Sequence, residues 1–360
     1  MHARAWLHLS ATPGVGPAAI RALLGAFGPP ASIFAQDAHR LTAVVGAARA
    51  RALLEADPAR EAAVHRALDW LHGPGERRLL TLDDPAYPAR LLDLADPPCL
   101  LYVLGDPARL TSPSMAIVGS RQASVVGREH AKHFAQHLSQ SGLTILSGLA
   151  QGIDGAAHEG ALGQQGGTVA FIGTGIDRVY PAHHQALARS IVEHGGAIAS
   201  ELALGTAPHP SNFPRRNRLI AAAAHGVLVV EAAARSGSLI TARLAADLGR
   251  EVFAIPGSIH SALARGCHAL LREGAKLVET AHDVLAEFPH LAAPAAAPER
   301  LVPTSQHDPA LEQLGWEPAG IESLILRSGE PAACWNVRLL GWELHGLAAR
   351  LEDGRWQRLR

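Results

Sequence analysis

Met115-Ala-Ile-Val-Gly-Ser-Arg-Gln-Ala-Ser-Val-Val-Gly127 is the stretch around which the chain is organised. Four apolar residues run straight into Gly119, Ser120 and Arg121, and Gly127 opens an amphipathic run reaching Gln140, so the pattern reads as a buried strand, a tight turn and a helix. Such a turn is suited to an anion. Helix-terminal N–H groups lack partners there, Gly119 allows close backbone approach, and Arg121 can add a two-pronged contact. The alternative is a plain tight connection, common to open α/β sheets.

Outward from this turn, strand and helix alternate. Strands are expected at Met115–Val118, Leu143–Leu146, Thr168–Ile172, Ala197–Ser200, Val227–Val230 and Val252–Ile255, with apolar helical runs between them. That alternation predicts an α/β fold with a doubly wound, mostly parallel sheet covered on both faces. Ligands of such sheets sit beyond the carboxyl ends of the strands. The residues expected there are Gly119, Ser120 and Arg121; Ser147, Gly148, Gly152 and Asp154; Gly173 and Thr174; Glu201; Glu231; and Pro256 and Gly257. A nicotinamide dinucleotide site would need G-x-G-x-x-G after the first strand and an acid ending the second; neither is present, and no Walker A sequence occurs.

A basic cluster is the stronger clue. Ser211–Ala224, SNFPRRNRLIAAAA, sets Arg215, Arg216, Asn217 and Arg218 at the start of a helix, where cations oppose the dipole at a cost of up to about 1 kcal/mol and so call for an anionic partner. Arg235, Ser236 and Gly237 form another small-residue turn before a helix. From Ser211 to Arg250 six arginines face two acids, in a chain whose formal net charge is only -1; polyanion binding is therefore expected at a local patch, the alternative being structural pairs with Glu201 and Glu231. Asp154, His158, Asp177, Glu201 and Glu231 could instead serve an enzyme, but Asp154 is well placed as a helix N-cap with His158 packed beneath it.

The flanks read as separate domains. Residues 1–75 are short helices, with Gly14-Val15-Gly16 resembling a SAM or helix-hairpin-helix turn that either holds a DNA phosphate or simply packs, Arg21 being the basic side chain nearest to it. Pro85, Pro88, Pro97 and Pro98 keep the next segment extended, with Leu100–Gly105 as a strand. Residues 76–288 form the sheet domain, and an Ala/Pro linker covers 289–305. Residues 306–360 offer helices near Pro309–Leu314, Glu317–Leu326 and Ala332–Leu347 and a hairpin at Asp353-Gly354, a winged helix. Its third helix carries Arg338 alone as a clear positive charge, which suits protein docking or packing better than a major groove. Hydrophobic residues make up 48% of the 360, enough for a core, while aromatics at 4% argue against extensive base stacking. Cys99, Cys267 and Cys334 are widely spaced, the amino terminus lacks a signal-like apolar run, and no segment has membrane-spanning length, so a cytoplasmic protein with no metal and no cofactor is expected.

AIVGSR, LSGLAQGIDGAAHEGAL, TVAFIGTGIDRVYP, SELALGTAPHPSNFPRRNRLIAA, VVEAAARSGSLITARLAADLGREVFAIPGS and GCHALLREGAKLV, in this order between Leu79 and Glu287, resemble the DprA family, also called Smf. The resemblance implies a non-enzymatic single-stranded DNA binder of natural transformation that loads RecA recombinase, displaces single-strand-binding protein and works as a homodimer through an extended Rossmann-like domain. It implies a phosphate pocket at Gly119, Ser120 and Arg121, with the FPRRNR arginines on the same face. Where some members carry lysines beside these motifs, this chain has Ala182 and His183, and Pro210 and Ser211. The reading is therefore DNA held by Gly119, Ser120, Arg121, Ser147, Gly148, Gly173, Thr174, Arg215, Arg216, Asn217, Arg218, Arg235, Ser236 and Gly237. Its alternative is a Rossmann-like enzyme that binds or hydrolyses a nucleotide ligand.

Overall fold

The structure, a computed structural model, describes residues 2–289, 291, 309–344, 346–351 and 353–359. The linker expected at 289–305 lies almost wholly outside them. The chain divides into two compact units, Met1–Ala123 with Ala131–Ala293, and Ser124–His130 with Pro294–Arg360.

The first unit begins with helices α1 (His2–Ala11), α2 (Pro17–Phe27), α3 (Pro30–Phe34), α4 (Ala38–Val45), α5 (Ala47–Leu54) and α6 (Pro58–Leu71). The turn between α1 and α2 places Gly14 at φ 75°, a left-handed conformation in which a side chain is strained. Arg49 Nε donates to the Gly14 carbonyl at 2.9 Å, whereas Arg21 reaches the Ala95 carbonyl of the extended segment instead.

Nine strands then form one sheet: β1 (Arg77–Thr81), β2 (Leu100–Gly105), β3 (Ser114–Val118), β4 (Thr144–Ser147), β5 (Thr168–Phe171), β6 (Ala197–Ser200), β7 (Gly226–Val229), β8 (Glu251–Ala254) and β9 (Lys276–Leu277). Their order is β1-β2-β6-β5-β4-β3-β7-β8-β9. All pairings from β6 to β9 are parallel, while β1 with β2 and β2 with β6 are antiparallel. β3 separates β4 from β7, and the strand order reverses there, the place beyond the carboxyl ends where sheets of this kind bind ligands.

The crossover helices are α7 (Val125–Gln140), α8 (Ile153–Ala161), α9 (Gln185–Glu193), α10 (Asn212–Ala223), α11 (Ser238–Asp247), α12 (Arg265–Arg272) and α13 (Ala281–Leu285). The two-residue alternation of strands sorts the core into two layers. Ala116 and Val118 face Leu219–Ala224, Leu239, Ala242 and Leu270 of α10–α12 and the residue that follows α10, and Met115 and Ile117 face Phe134, Leu138, Ile153 and Ala157 of α7 and α8. Each fully buried Leu, Ile or Phe contributes about 1.5–3 kcal/mol. The alanines Ala221–Ala224, all buried, keep the end of α10 close to the sheet.

In the second unit, α14 (Pro309–Leu314), α15 (Ile321–Ser328), α16 (Ala332–Leu344) and the antiparallel pair β10 (Ala348–Arg350) and β11 (Trp356–Arg358) enclose Leu314, Leu324, Trp335, Leu339 and Trp356. Arg338 on α16 is bonded to Glu330, and Leu326, Val337 and Leu340 are exposed. Among the described residues no helix is long and apolar enough to cross a membrane.

Candidate nucleic-acid interface

The turn after β3 is locked from both sides. Ser120 N–H donates to the Glu231 carbonyl at 2.7 Å, and the Ser120 carbonyl accepts from Ile153 N–H at 3.2 Å. A Cβ on Gly119 would lie 2.5 Å from Ile153 Cγ1 and 2.8 Å from the Glu231 oxygen. The absent side chain therefore makes room for the start of α8 and the exit of β7. Arg121 projects outward, exposed, with its guanidinium 5.0 Å from the ring centre of Phe213.

Phe213 in the first turn of α10 meets Tyr180 at 5.7 Å between ring centres and a 41° tilt, and Tyr180 is 46% exposed. Gly173 seats this pair, because a Cβ there would lie 3.1 Å from Phe213 Cδ1. Arg121, Phe213 and Tyr180 thus form one cationic and aromatic platform built from the exits of β3 and β5 and the start of α10. Sequence reasoning weighs aromatics by their overall scarcity and misses that two of the few meet; the available signal is their placement, Phe213 two residues before Arg215 and Tyr180 in the loop after β5.

The FPRRNR arginines diverge. Arg215 is exposed and lies 3.9 Å from Glu201 Oε1. Arg216 turns inward, 5% exposed, and its Nη1 donates to the Phe171 carbonyl at 2.7 Å. It lies over Gly148, where a Cβ would come within 1.8 Å of Nη1. Arg218 is buried too: it pairs with Glu201 and donates from Nη1 to the Asp96 carbonyl at 2.9 Å. Burial lowers the Arg216 pKa to about 10, which leaves it charged at neutral pH. Burial pushes the Glu201 carboxyl up, opposed by Arg218 and Arg215. The spacing suggests three guanidiniums available to an anionic partner; the helix turn instead points one to solvent and two into the fold. Asn217 is half-buried beside them.

Beneath the platform, Asp154 is not the N-cap of α8. Gly152 takes that position at φ 85°, and Asp154, two residues further on, reaches back to the loop after β4, where Oδ2 accepts from Gly148 N–H at 3.1 Å and Ala150 N–H at 3.4 Å. His158 is fully buried; Nε2 accepts from Leu149 N–H at 3.3 Å and Nδ1 contacts Thr168 Oγ1 at 2.7 Å. Burial drops its pKa to about 3. Leu149, buried, holds φ 56°, and His184 Nδ1 lies 2.9 Å from its carbonyl. Ser147 Oγ donates to the Ile117 carbonyl at 2.6 Å and Thr174 Oγ1 to the Arg178 carbonyl at 2.6 Å, so both hydroxyls brace the strand exits.

Arg235 and Gly237 are exposed at the exit of β7, and Ser236 Oγ shares a hydrogen bond with Ser238 Oγ at 2.6 Å. Among the described residues no hydrogen bond or ion pair joins this turn to Arg121. No group of three or more metal-ligating side chains gathers among the described residues.

Comparison with known proteins bears on this geometry. The family of DNA recombination-mediator protein A matches residues 78–289, a SAM-like helix-hairpin-helix tandem matches 7–56, and the DprA winged helix domain matches 292–354. Protein Smf of Escherichia coli (strain K12) is 40% identical over 299 residues, covering 81% of this chain and 80% of that protein. DNA processing protein DprA of Streptococcus pneumoniae is 47% identical over 205 residues, 57% of this chain and 72% of that protein. The X-ray structure of DprA from Streptococcus pneumoniae superposes with a TM-score of 0.68 at 37% identity, covering 78% of this chain and 95% of that one. A structure of DNA processing protein A from Helicobacter pylori, concerned with its single-stranded DNA binding mode, gives 0.54 at 28% identity over 61% of this chain and 98% of that one.

Proposed function

This chain belongs to the DNA recombination-mediator protein A (DprA/Smf) family, and on that premise we propose that it binds single-stranded DNA along the crevice at the carboxyl ends of β3, β5 and β7. In this reading it acts in the cytoplasm as a homodimer that loads RecA recombinase onto the strand during transformation or recombination and displaces single-strand-binding protein. The observation that carries the reading is the Arg121, Phe213 and Tyr180 platform: a free guanidinium for a phosphate beside ring faces for unpaired bases. Arg215, Asn217, Arg235, Ser236 and Gly237 extend it for further phosphates. Gly119, Ser120, Ser147, Gly148, Gly173 and Thr174 shape its floor, and Arg216 and Arg218 fix α10 beneath it. A binder rather than an enzyme is supported by the engagement of Asp154 and His158 within the fold.

The test is a gel shift with single-stranded and duplex DNA at two salt concentrations. With about three phosphates neutralised, log Kd for the single strand changes with log salt at a slope near 2. Arg121→Glu weakens binding and flattens that slope. Equal retention of duplex, or unchanged affinity and slope in Arg121→Glu, overturns the assignment.

A further inference from the structure

The crevice of a doubly wound sheet has one place especially suited to a phosphate: the loop at a strand exit, where backbone N–H groups converge at the start of the next helix. Here that place, at the exit of β4, contains a carboxylate. Asp154 Oδ2 accepts from Gly148 N–H and Ala150 N–H, and the Asp154 side chain is only 7% exposed. Arg216, 5% exposed, lies over Gly148, and its Nε has no hydrogen-bond partner. Gly148 lacks a side chain where that guanidinium lies, and Gly152 lacks one where the Ser120 carbonyl comes within 2.3 Å of the Cβ position. Two converging loop amides with a buried arginine beside them are the parts of an oxyanion cradle.

We propose that Asp154 is the chain's own substitute for a bound phosphate: its carboxylate fills the anion cradle at the exit of β4 and makes the crevice reject phosphate and nucleoside monophosphates, leaving the exposed rim at Arg121 for a strand. The self-filling stands on the hydrogen bonds alone, and the selection for a strand rests on the DNA-binding reading above. Asp154 Oδ2 is held by the two amides, and among the described residues no ion pair joins it to an arginine; the charges of Arg216 and Arg121 favour the carboxylate from further away. With the carboxylate in place the cradle is neutralised, and a mononucleotide gains little beyond one stacking contact on Phe213. A polymer gains several rim contacts at once. Asp154 is on this account a specificity-determining residue, since it acts by exclusion.

The experiment compares wild type, Asp154→Gly and Asp154→Asn in thermal melts with inorganic phosphate against chloride of matched ionic strength. Phosphate leaves the wild type unchanged beyond the chloride control. It raises the melting temperature of each variant, by about 3 °C at ten times its Kd and logarithmically beyond. A folded variant that responds to phosphate no more than wild type overturns the proposal. If a variant folds poorly, the readout is its refolded yield, which phosphate must raise and chloride must not; no phosphate-specific gain in either variant also overturns it. A second arm adds deoxyadenosine monophosphate to wild type bound to labelled oligothymidylate. Failure to compete at millimolar concentration supports the exclusion, and displacement at micromolar concentration refutes it. The melts use no DNA, so the self-filling by Asp154 is tested even if the protein binds no strand.

Discussion

Replacing Phe213 by alanine removes the middle of the platform and no charge. The ring is stacked by Arg121 on one contact and by Tyr180 on another, 5.0 and 5.7 Å away. Loss of a stacked base is worth about 1–3 kcal/mol, and loss of the guanidinium's resting place about 0.5–1 kcal/mol. A sum near 2 kcal/mol weakens a single strand roughly 30-fold. Fluorescence anisotropy of a labelled oligothymidylate over a salt series separates the contributions: Phe213→Ala lowers affinity with its salt slope unchanged, whereas Arg121→Ala lowers both, the slope by about 0.7. An abasic strand of equal length supplies the decisive control. It has phosphates and no bases, so Phe213→Ala costs it little beyond the small change at Arg121. A loss as large on the abasic strand as on oligothymidylate, with the melting temperature preserved, refutes stacking as the role of this ring.

Arg215 and Arg218 should separate stability from binding. Arg218→Ala leaves Glu201, whose side chain is 6% exposed, without its main partner and costs about 3–5 kcal/mol in urea unfolding. Arg215→Ala, at a side chain 54% exposed, costs under about 1 kcal/mol yet weakens the single strand; equal stability losses would contradict the inward and outward placement. His158 makes stability fall in acid. Its pKa is about 3 in the fold against 6.5 in the unfolded chain, so between those values the unfolded state takes up a proton that the folded state refuses. Stability therefore drops by up to about 1.4 kcal/mol per pH unit as pH falls below 6.5, and the term vanishes above it. Asp154 and Glu201, raised by burial, push the other way, so the comparison is with His158→Gln, whose stability curve should be shallower by one proton in that window. Parallel curves for the two proteins would contradict it.

The parallel strands from β3 to β8 were legible because each contains an apolar run, and all six expected positions lie within one residue of those observed. β1 and β9 were not, for Arg77-Arg78 opens the one and the other has two residues, so neither presents an apolar run. Edge strands owe their existence to a neighbour's unpaired backbone, which sequence periodicity does not record. At the candidate site, sequence placed the named residues at strand ends and could not assign inside and outside. Arg215, Arg216 and Arg218 fan around α10 at about 100° per residue, and which of them meets solvent depends on Gly148, Phe171 and Glu201, distant in the chain. Gly119 was expected to allow close backbone approach to an anion; the space a Cβ would take there holds Ile153, and at Gly173 it holds Phe213.

The hydrogen bonds of His158 have one further consequence. Leu149 N–H can only donate, so Nε2 must be the bare nitrogen; the hydrogen is on Nδ1 and points at Thr168 Oγ1, whose own hydrogen goes to the Ile145 carbonyl at 2.7 Å. Every hydrogen in this relay from loop to sheet has its direction dictated by a peptide group at either end. Only one tautomer is compatible with both ends, and reversing it would leave an amide facing an N–H. His158 is in that sense wired at both terminals: it transmits the position of β4 and β5 to the loop that shapes the crevice, and it has no proton to lend.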